Sequence, residues 1–239
     1  RLEGLGSAVS AQGGSSYSLL RGVCLKRFID ETFDLVCEAI LKPAHAPEQQ
    51  RRLRDELEEE ILWARDDDST LASILMRQHL YPKHVFGRSL IGEISDLNKI
   101  DSSDISRHHS HIFAADDVIL MFSGDITPEK SLSLAEKLLP HLVNPTTPLP
   151  SPQPPSSQKG QGLVLVDKPD RTQVQMRVGT ILCDAHNPTV FPLWLGLVAF
   201  GGIFTGPLCA EVRDKRGWSY GVGLNFDRVY ENVSGDFGW

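Results

Sequence analysis

The chain has 239 residues, of which 41% are apolar and 23% are charged, an ordinary balance for a protein with one large or two modest cores. Its formal net charge of −7 argues against a nucleic-acid partner, because a phosphate-binding surface needs clustered lysine and arginine. No apolar run reaches the roughly 18 residues that a membrane span requires. These properties predict a globular protein that neither binds nucleic acid nor spans a membrane.

The four cysteines lie far apart, at Cys24, Cys37, Cys183 and Cys209, without paired spacing. They predict buried free thiols rather than a disulfide framework or a thiolate zinc site. The chain begins at Arg1 without a signal peptide and stops within SGDFGW, which reads as the middle of a strand. We therefore expect an internal piece of a longer protein. No feature of the sequence assigns a cellular compartment. The two locations that we expect first are the cytoplasm and the periplasm of a prokaryote.

A proline-rich stretch divides the sequence at residues 144–162, NPTTPLPSPQPPSSQKGQG. Its six prolines, mixed with Ser, Gly and Gln, favour an extended linker over a packed core. We therefore predict a first domain over residues 1–143 and a second over residues 163–239.

Upstream of this linker, the pattern predicts a hairpin followed mainly by helices. The predicted elements are two strands in GSAVSAQGG and SSYSLLRGVC, a helix over about 26–41, an acidic helix that opens at Pro47, a helix over about 102–113, a strand in DVILMFSGD, and a helix capped by Thr127 and Pro128.

Downstream of the linker, strands and helices alternate again. The predicted elements are strands in LVLVDK and TQVQMRVGTIL, a buried apolar helix in VFPLWLGLVAF, a helix in LCAEVRDKR that ends at Gly217, and a hairpin of YGVGLNFDRVY with ENVSGDFGW. The fold class predicted from this order is α+β, with helices packed on one face of a mainly antiparallel sheet.

The acidic run DELEEEILWARD, residues 55–66, contains one glutamate that we expect to point inward. A helix turns about 100° per residue, which places Glu60 within the apolar stripe, whereas Glu58 and Glu59 face away. The stripe consists of Leu53, Leu57, Ile61 and Ala64. A buried carboxylate must be protonated, paired with a cation or bound to a metal. The helical wheel by itself favours a simpler interpretation, in which Glu60 lies at the rim of the apolar stripe and either bends out to water or pairs with an arginine.

Several segments on both sides of the linker form a recognisable series. Before the linker these segments are EEEILWARDDD, KHVFGRSLIG and NKIDSSDISRHHSHIFAADDVILMFSGDITPE, and after it they are VDKPDRTQVQMRVG and AFGGIFTGPLCAEVRDKRGWSYGVG. The first three resemble peptidase family M16, the insulinase, pitrilysin and mitochondrial-processing-peptidase relatives, and the last two resemble the second homologous domain of that family. The resemblance covers nearly the whole chain and implies two metallohydrolase-like domains, both truncated: the C-terminal part of the zinc-binding domain and the N-terminal part of its homologue.

The resemblance implies zinc peptidase chemistry, in which an H-x-x-E-H helix supplies two zinc ligands and a general base. Glu60 matches the later glutamate that completes the zinc site. None of the eight histidines belongs to such a motif, and the family spacing places the motif upstream of Arg1. Leu53 departs from the family pattern, because many active relatives carry a second glutamate at this position.

The resemblance also assigns roles in the second domain. Arg213 and Tyr220 match a pair that binds the substrate backbone and stabilises the oxyanion; alternatively, Arg213 complements a helix end and Tyr220 is partly buried. The histidines of HHSH, residues 108–111, suggest a metal by composition but match a structural helix of the family. The strand in SAVSAQGG matches an edge that pairs with extended substrate.

The function predicted from these observations is that of an M16-type zinc metalloendopeptidase, of which this chain is an internal part. It would cleave peptides or small proteins with Zn²⁺ as cofactor, Glu60 as a metal ligand, and Arg213 and Tyr220 at the substrate. The alternatives are a non-catalytic M16-like subunit that supplies the Arg/Tyr pair to a zinc-bearing partner, a scaffold, or a metal-independent binding domain. Expected partners are a peptide substrate and a second copy of the chain or another M16-like subunit.

Overall fold

The structure is a computed structural model that describes residues 1–15, 17–147, 160, 162–184, 187–224 and 234–238. In chain order, its α-helices are α1 (Ile29–Leu41), α2 (Pro47–Asp66), α3 (Asp68–Leu80), α4 (Ile94–Leu97), α5 (Ser102–Ile112), α6 (Pro128–Leu138), α7 (Val190–Leu197) and α8 (Pro207–Cys209). Its strands are β1 (Ala8–Gly13), β2 (Ser18–Val23), β3 (Gly179–Asp184) and β4 (Ser234–Gly238). Helices and small antiparallel sheets together make an α+β fold.

The chain forms two compact units, each built from two separate stretches of sequence. The first unit combines residues 1–60 with 90–150, and the second combines residues 61–89 with 151–239. Residues 61–89, which precede the linker, therefore share a unit with residues that come after it. The division into domains at the linker remains a prediction, and residues 148–159 and 161 of the linker lie outside the described part of the chain.

The core of the first unit lies where α1 packs against α6. Cys37, Ile40 and Leu138 are buried there, with apolar side chains such as Phe33 and Leu120 packed around them. Two lysines of α6 reinforce this packing, since Lys130 Nζ donates to both carboxylate oxygens of Asp30 at 2.6 and 2.7 Å, and Lys137 Nζ donates to Asp34 at 2.7 Å.

Local capping signals in the sequence are reproduced by the helices. Thr127 Oγ1 accepts a hydrogen bond from the Lys130 N–H at 3.3 Å, and Pro128 occupies the first turn of α6. Pro47 is the first residue of α2, as predicted. Helix α3 was not predicted from the sequence. Its cap is Asp67, whose carboxylate accepts from the Thr70 N–H at 2.7 Å.

The predicted first hairpin is present. β1 and β2 pair antiparallel in a register that runs from Ala8 opposite Val23 to Gly13 opposite Ser18. At the base of the hairpin, the buried hydroxyls of Ser7 and Thr32 share a hydrogen bond of 2.8 Å, which ties the start of β1 to α1. The hairpin itself is exposed along most of its length.

The second unit depends on an acidic anchor, which we define as Asp66 and Asp68 with the carbonyl oxygens at the end of α2. Lys168 Nζ lies 2.6 Å from Asp68 Oδ1 and donates to the Asp66 carbonyl at 2.7 Å. Arg171 donates to Asp66 Oδ1 at 2.6 Å. A third cation extends the contact, since Arg177 donates to the hydroxyls of Ser69 and Ser73 on α3. These bonds fasten residues 168–177 to the junction of α2 and α3.

A tight turn comes after α3 and forms the apolar core beside β3. Tyr81 and Phe86 are each 1% exposed and pack with Ile181 of β3. The turn approaches the chain so closely that a Cβ placed on Gly87 would lie 2.2 Å from the Tyr81 carbonyl oxygen. Only glycine leaves room for this approach, which was not predicted from the sequence.

Most strands predicted outside the first hairpin do not form ladders. The segments DVILMFSGD and LVLVDK, and residues 172–178, are not paired with other strands among the described residues. A strand forms a ladder only when a second strand pairs with its backbone. The alternation of apolar and polar residues, which predicted these strands, does not show whether such a partner is present. Alternation itself is present: Leu120 packs on the core, whereas Ile119 and Met121 are 87% and 86% exposed.

Most of the predicted C-terminal hairpin lies outside the described part of the chain. Among the described residues, β4 pairs antiparallel with β3, with Thr180 opposite Phe237. Residues 219–224 form no strand, and residues 225–233 lie outside the described part of the chain. The described ladder thus joins β4 to a strand about fifty residues earlier in the chain, a pairing that was not predicted from the sequence.

The prediction that VFPLWLGLVAF is buried is wrong for most of its length. Within α7 only Val190 is buried, whereas Phe191 and Leu195 are 67% and 62% exposed. Among the described residues, the stretch Val190–Lys215 is long and apolar enough to cross a membrane by length and composition, a test that core helices of soluble proteins also pass. The helical backbone is interrupted at residues 203–206 within it.

The prediction of buried free thiols is confirmed for two cysteines. Cys37 and Cys209 are unpaired and buried, with exposures of 8% and 2%. Cys24 is unpaired and partly exposed. The side chain of Cys183 lies outside the described part of the chain.

Removal of the cation of Lys168 tests the acidic anchor. Lys168→Met should lower the free energy of unfolding of the second unit by about 1–3 kcal/mol, because the carboxylate of Asp68, 28% exposed, loses its nearest cation and the Asp66 carbonyl loses a charged donor. Urea unfolding followed by tryptophan fluorescence measures this loss, since all four tryptophans lie beyond residue 60. Lys42→Met, at an exposed position elsewhere, is the control; equal losses in both variants would contradict the anchor.

A methyl group at residue 87 tests the close approach of the turn. Gly87→Ala should destabilise the second unit by about 1–3 kcal/mol or more, because the added Cβ overlaps the Tyr81 carbonyl oxygen. Gly221→Ala is the matched control, since nothing lies within 4 Å of a Cβ there. Thermal unfolding of the two variants gives the comparison, and an unchanged melting temperature for Gly87→Ala would show that the turn is looser than described.

Candidate metal ligand and substrate-binding pair

Glu60 is exposed on α2, and the prediction that it points into the core is wrong for this chain. The buried residues of α2 are Ile61 and Ala64, each 2% exposed, whereas Leu53 is 54% exposed. The buried face is therefore centred between Ile61 and Ala64, about 70° away from Glu60 on the helical wheel. The predicted apolar stripe included Leu53, which does not belong to the core of the described chain. Including Leu53 moved the centre of the predicted stripe towards Glu60.

The exposed carboxylate of Glu60 can still act as a metal ligand. Among the described residues it makes no hydrogen bond or ion pair, whereas Glu56 on the same helix is paired with Arg52 at 3.1 Å. A carboxylate oxygen is a suitable zinc ligand, but a site needs three or four ligands. Within the described ranges, no three His, Cys, Asp or Glu side chains come together as a metal site. Glu60 therefore belongs to no metal site that the described residues form by themselves.

Arg213 and Tyr220 lie on the two sides of a sharp turn at the end of a helical segment. After α8 the backbone continues as a π-helical turn, Ala210–Lys215, and ends at Gly217, whose φ of +63° favours glycine. The Gly217 N–H donates to the Arg213 carbonyl at 3.0 Å, as expected for a helix end. Gly217 therefore terminates the helix as the sequence predicts and directs the chain back towards Arg213.

The turn brings the two side chains together. The Arg213 guanidinium carbon lies 5.7 Å from the centre of the Tyr220 ring. The same carbon lies only 3.9 Å above the ring of Phe204, a stacking contact that fixes one face of the guanidinium. Tyr220 is 89% exposed, so it is not the partly buried residue of the alternative interpretation. Sequence reasoning missed Phe204, because its contact with Arg213 is made in the folded structure and nothing in the local sequence indicates it.

Neighbouring basic residues are engaged elsewhere, which leaves Arg213 distinct among them. Lys215 Nζ and Arg216 Nη2 both lie 2.9 Å from carboxylate oxygens of Glu211. These two cations lower the pKa of Glu211 from its ordinary value of 4.5. Among the described residues, Arg213 forms only a long ion pair, in which its Nη1 lies 3.9 Å from Asp214 Oδ1. The run RDKR thus has two cations that bind Glu211 and one that stacks on an aromatic ring.

The HHSH residues lie on α5, the helix that the sequence predicts, in the first unit. His109 is partly buried, and its ring packs on those of His45 and Phe113 with centroid distances of 5.6 and 4.8 Å. His111 lies between two carbonyl oxygens, with Nδ1 2.7 Å from Arg107 O and Nε2 2.7 Å from Thr147 O. Neither contact belongs to the candidate site formed by Arg213 and Tyr220.

A family model described as the peptidase M16 inactive domain matches residues 99–239, more than half of the chain. The chain belongs to peptidase family M16. M16 membership agrees with the resemblance seen in the sequence segments on both sides of the linker.

Relatives and solved structures agree with M16 membership. The chain is 19% identical over 222 residues to an uncharacterized zinc protease of Mycobacterium leprae, covering 92% of this chain and 50% of that protein. It superimposes on a peptidase M16 inactive domain from Pseudomonas fluorescens with a TM-score of 0.85 and 21% identity, covering 99% of this chain and 57% of that one. It also matches a chain of complex III2 from Candida albicans, with a TM-score of 0.70, 13% identity and coverage of 98% and 57%.

At these identities, the structural matches establish the fold of the M16 chain and nothing further. The chain spans about half the length of the relatives that it matches. The matches to this chain therefore do not show the activity of a whole protein of that length.

The ion pairs of Glu211 predict a pH dependence for the segment that carries Arg213. A lowered pKa means that Glu211 stabilises the folded state above its unfolded pKa and loses this contribution as pH falls through its folded pKa, below 4.5. Hydrogen exchange of residues 210–215, corrected for intrinsic rates, should therefore accelerate in that window. In Glu211→Gln the exchange should be faster at neutral pH and constant through the window; a wild-type profile that is also constant would contradict the prediction.

Proposed function

We propose that this chain is part of a zinc metalloendopeptidase that hydrolyses bonds in peptides or small proteins. The observation that carries the proposal is the pairing of Arg213 with Tyr220, in which an aromatic contact holds the guanidinium beside an exposed phenol. Family membership and the similarity to a zinc protease support it. On this proposal, the chain consists of parts of two homologous M16-type domains joined by residues 144–162.

In this proposal Glu60 is one protein ligand of the zinc ion. Its exposed carboxylate without a partner is what such a role needs, because a paired carboxylate would have to release a cation before binding metal. The other two ligands and the general base would belong to an H-x-x-E-H helix outside the chain, as the M16 resemblance implies. A zinc ion held there would supply the Lewis acidity that makes a bound water molecule nucleophilic.

Arg213 and Tyr220 would bind the substrate and stabilise the charge that develops on the carbonyl oxygen. A guanidinium offers up to five N–H donors in a planar fork, and the phenol adds one O–H donor. Because Phe204 stacks on the guanidinium, fewer rotamers are open to the arginine before substrate binds. Donors that are fixed in advance stabilise a transition state without the cost of reorganisation.

A second candidate function is that of a non-catalytic subunit or scaffold. The matching family model is described as an inactive domain, and one structural neighbour is a chain of complex III2. Leu53 supports this candidate, since it replaces a glutamate that many active relatives carry. A longer protein that lacks H-x-x-E-H, binds no zinc and increases peptide cleavage by a zinc-bearing partner would have this function.

Zinc analysis of two neighbouring glutamate variants tests the metal role. In the full-length protein, Glu60→Gln should lose at least half of its bound zinc after dialysis, because an amide is a weaker ligand than a carboxylate. Glu59→Gln, one residue away on a different face of α2, should keep its zinc. Equal zinc contents in Glu60→Gln and wild type, measured by mass spectrometry, would remove Glu60 from the metal site.

Peptide cleavage by variants of the second unit tests the role of the pair. Tyr220→Phe and Arg213→Met should each lower kcat/KM by about 10²–10³-fold without loss of zinc, as for removal of an oxyanion donor. Arg216→Gln is the control and should stay within about twofold of wild type, because Arg216 is engaged with Glu211. Full activity of Tyr220→Phe would exclude its hydroxyl from catalysis.

A further inference from the structure

A cavity of about 710 Å³ lies in the first unit, beside α5 and the residues that connect α4 to it. Its size falls in the range of about 300–1,000 Å³ that is typical of small-molecule sites. Apolar side chains contribute much of the lining, among them Ile100, Ile105 and Ile112. The peptidase proposal does not use this cavity.

Two imidazole rings form a further part of its lining. His45 and His109 meet edge to face, at an interplanar angle of 82° and a centroid distance of 5.6 Å. Burial, and secondarily the charge of His45, lowers the pKa of His109 from its ordinary value of 6.5. Both effects favour the uncharged form of His109, whose ring packs against that of Phe113.

The backbone of His45 is held in a conformation that most side chains avoid. Its φ is +43°, in the left-handed region. The His45 carbonyl accepts a hydrogen bond of 2.8 Å from Gln50 Nε2, and Gln50 Oε1 accepts one of 2.8 Å from the Ser102 hydroxyl at the start of α5. Such conformations persist only where surrounding contacts maintain them, and they are concentrated at ligand-binding sites.

The charged groups that line the cavity are matched by partners within the protein. Lys99 pairs with Asp96 at 3.1 Å, and Arg107 pairs with Asp104 on the same helix. Both ring nitrogens of His111 contact carbonyl oxygens. A charged ligand would find no unpaired counter-charge among these two ion pairs, so it would gain little electrostatic attraction from them.

From these contacts we propose that the cavity beside α5 binds a small uncharged ligand with an aromatic ring. The ring packs between the imidazole of His45 and the isoleucine side chains of α5. Edge-to-face contact between aromatic rings favours an aromatic ligand over an aliphatic one of the same size. The inference is independent of the proposed peptidase function, since it uses neither Glu60 nor Arg213.

Two matched probes test the ligand class in the full-length protein by ¹⁹F NMR. The uncharged 4-fluorobenzyl alcohol should bind saturably, and 4-fluorobenzoate, similar in size but anionic, should bind at least tenfold more weakly. Equal affinities for the two probes, or no saturable binding of the alcohol, would overturn the proposal.

A variant of His45 tests the position of the ligand. His45→Gly removes the ring but suits the positive φ, so its melting temperature should not fall. Its affinity for 4-fluorobenzyl alcohol should drop at least fivefold, whereas His141→Ala, outside the cavity, should bind like wild type. If His45→Gly folds and binds the alcohol with unchanged affinity, the ligand does not occupy this cavity and the proposal is wrong.

Discussion

The second unit depends on one electrostatic contact between distant parts of the sequence. The acidic anchor at the junction of α2 and α3 binds Lys168 and Arg171, about a hundred residues later in the chain. Lys168 and Asp68 are each less than one-third exposed, so their attraction is screened less than that of an ordinary surface pair. Two carbonyl oxygens at the end of α2 accept further bonds from Lys168, which satisfies the donors of a partly buried ammonium group.

This contact explains why the second unit is not continuous in sequence. α3 and the tight turn after it carry the apolar core of Tyr81 and Phe86, and β3 covers that core through Ile181. The anchor and the Arg177 contacts hold the residues just before β3 against α3, so that β3 begins in the right place. A proline-rich segment lies between these parts of the sequence, and a linker of this composition does not fix the position of the next element. Side-chain contacts of the folded unit therefore supply the specificity.

The two candidate elements of the peptidase site differ in how completely this chain builds them. The Arg213 pair is assembled by local structure: a glycine ends the helix, the chain turns back, and Phe204 supports the guanidinium. Glu60, in contrast, is an exposed carboxylate on a helix face that the described residues do not cover. The chain spans about half the length of the relatives that it matches, so on the peptidase proposal the remaining metal ligands would come from another part of the protein.

Sequence by itself determined the features that depend on neighbouring residues. Thr127 caps α6 and Pro128 begins it, Gly217 ends the helix after Arg213, and β1 pairs with β2 as a local hairpin, because hydrogen bonds and backbone preferences within a few residues decide such features. Helical periodicity identified the correct side of α2 only approximately, since it shows which residues share a face and not what covers that face. Tertiary structure alone decided the exposure of Glu60, the pairing of β4 with β3, the stacking of Phe204 on Arg213 and the acidic anchor. Each of these features depends on contacts between segments that are distant in the sequence. Burial, strand pairing and ion pairing arise from such contacts, and no segment determines them alone.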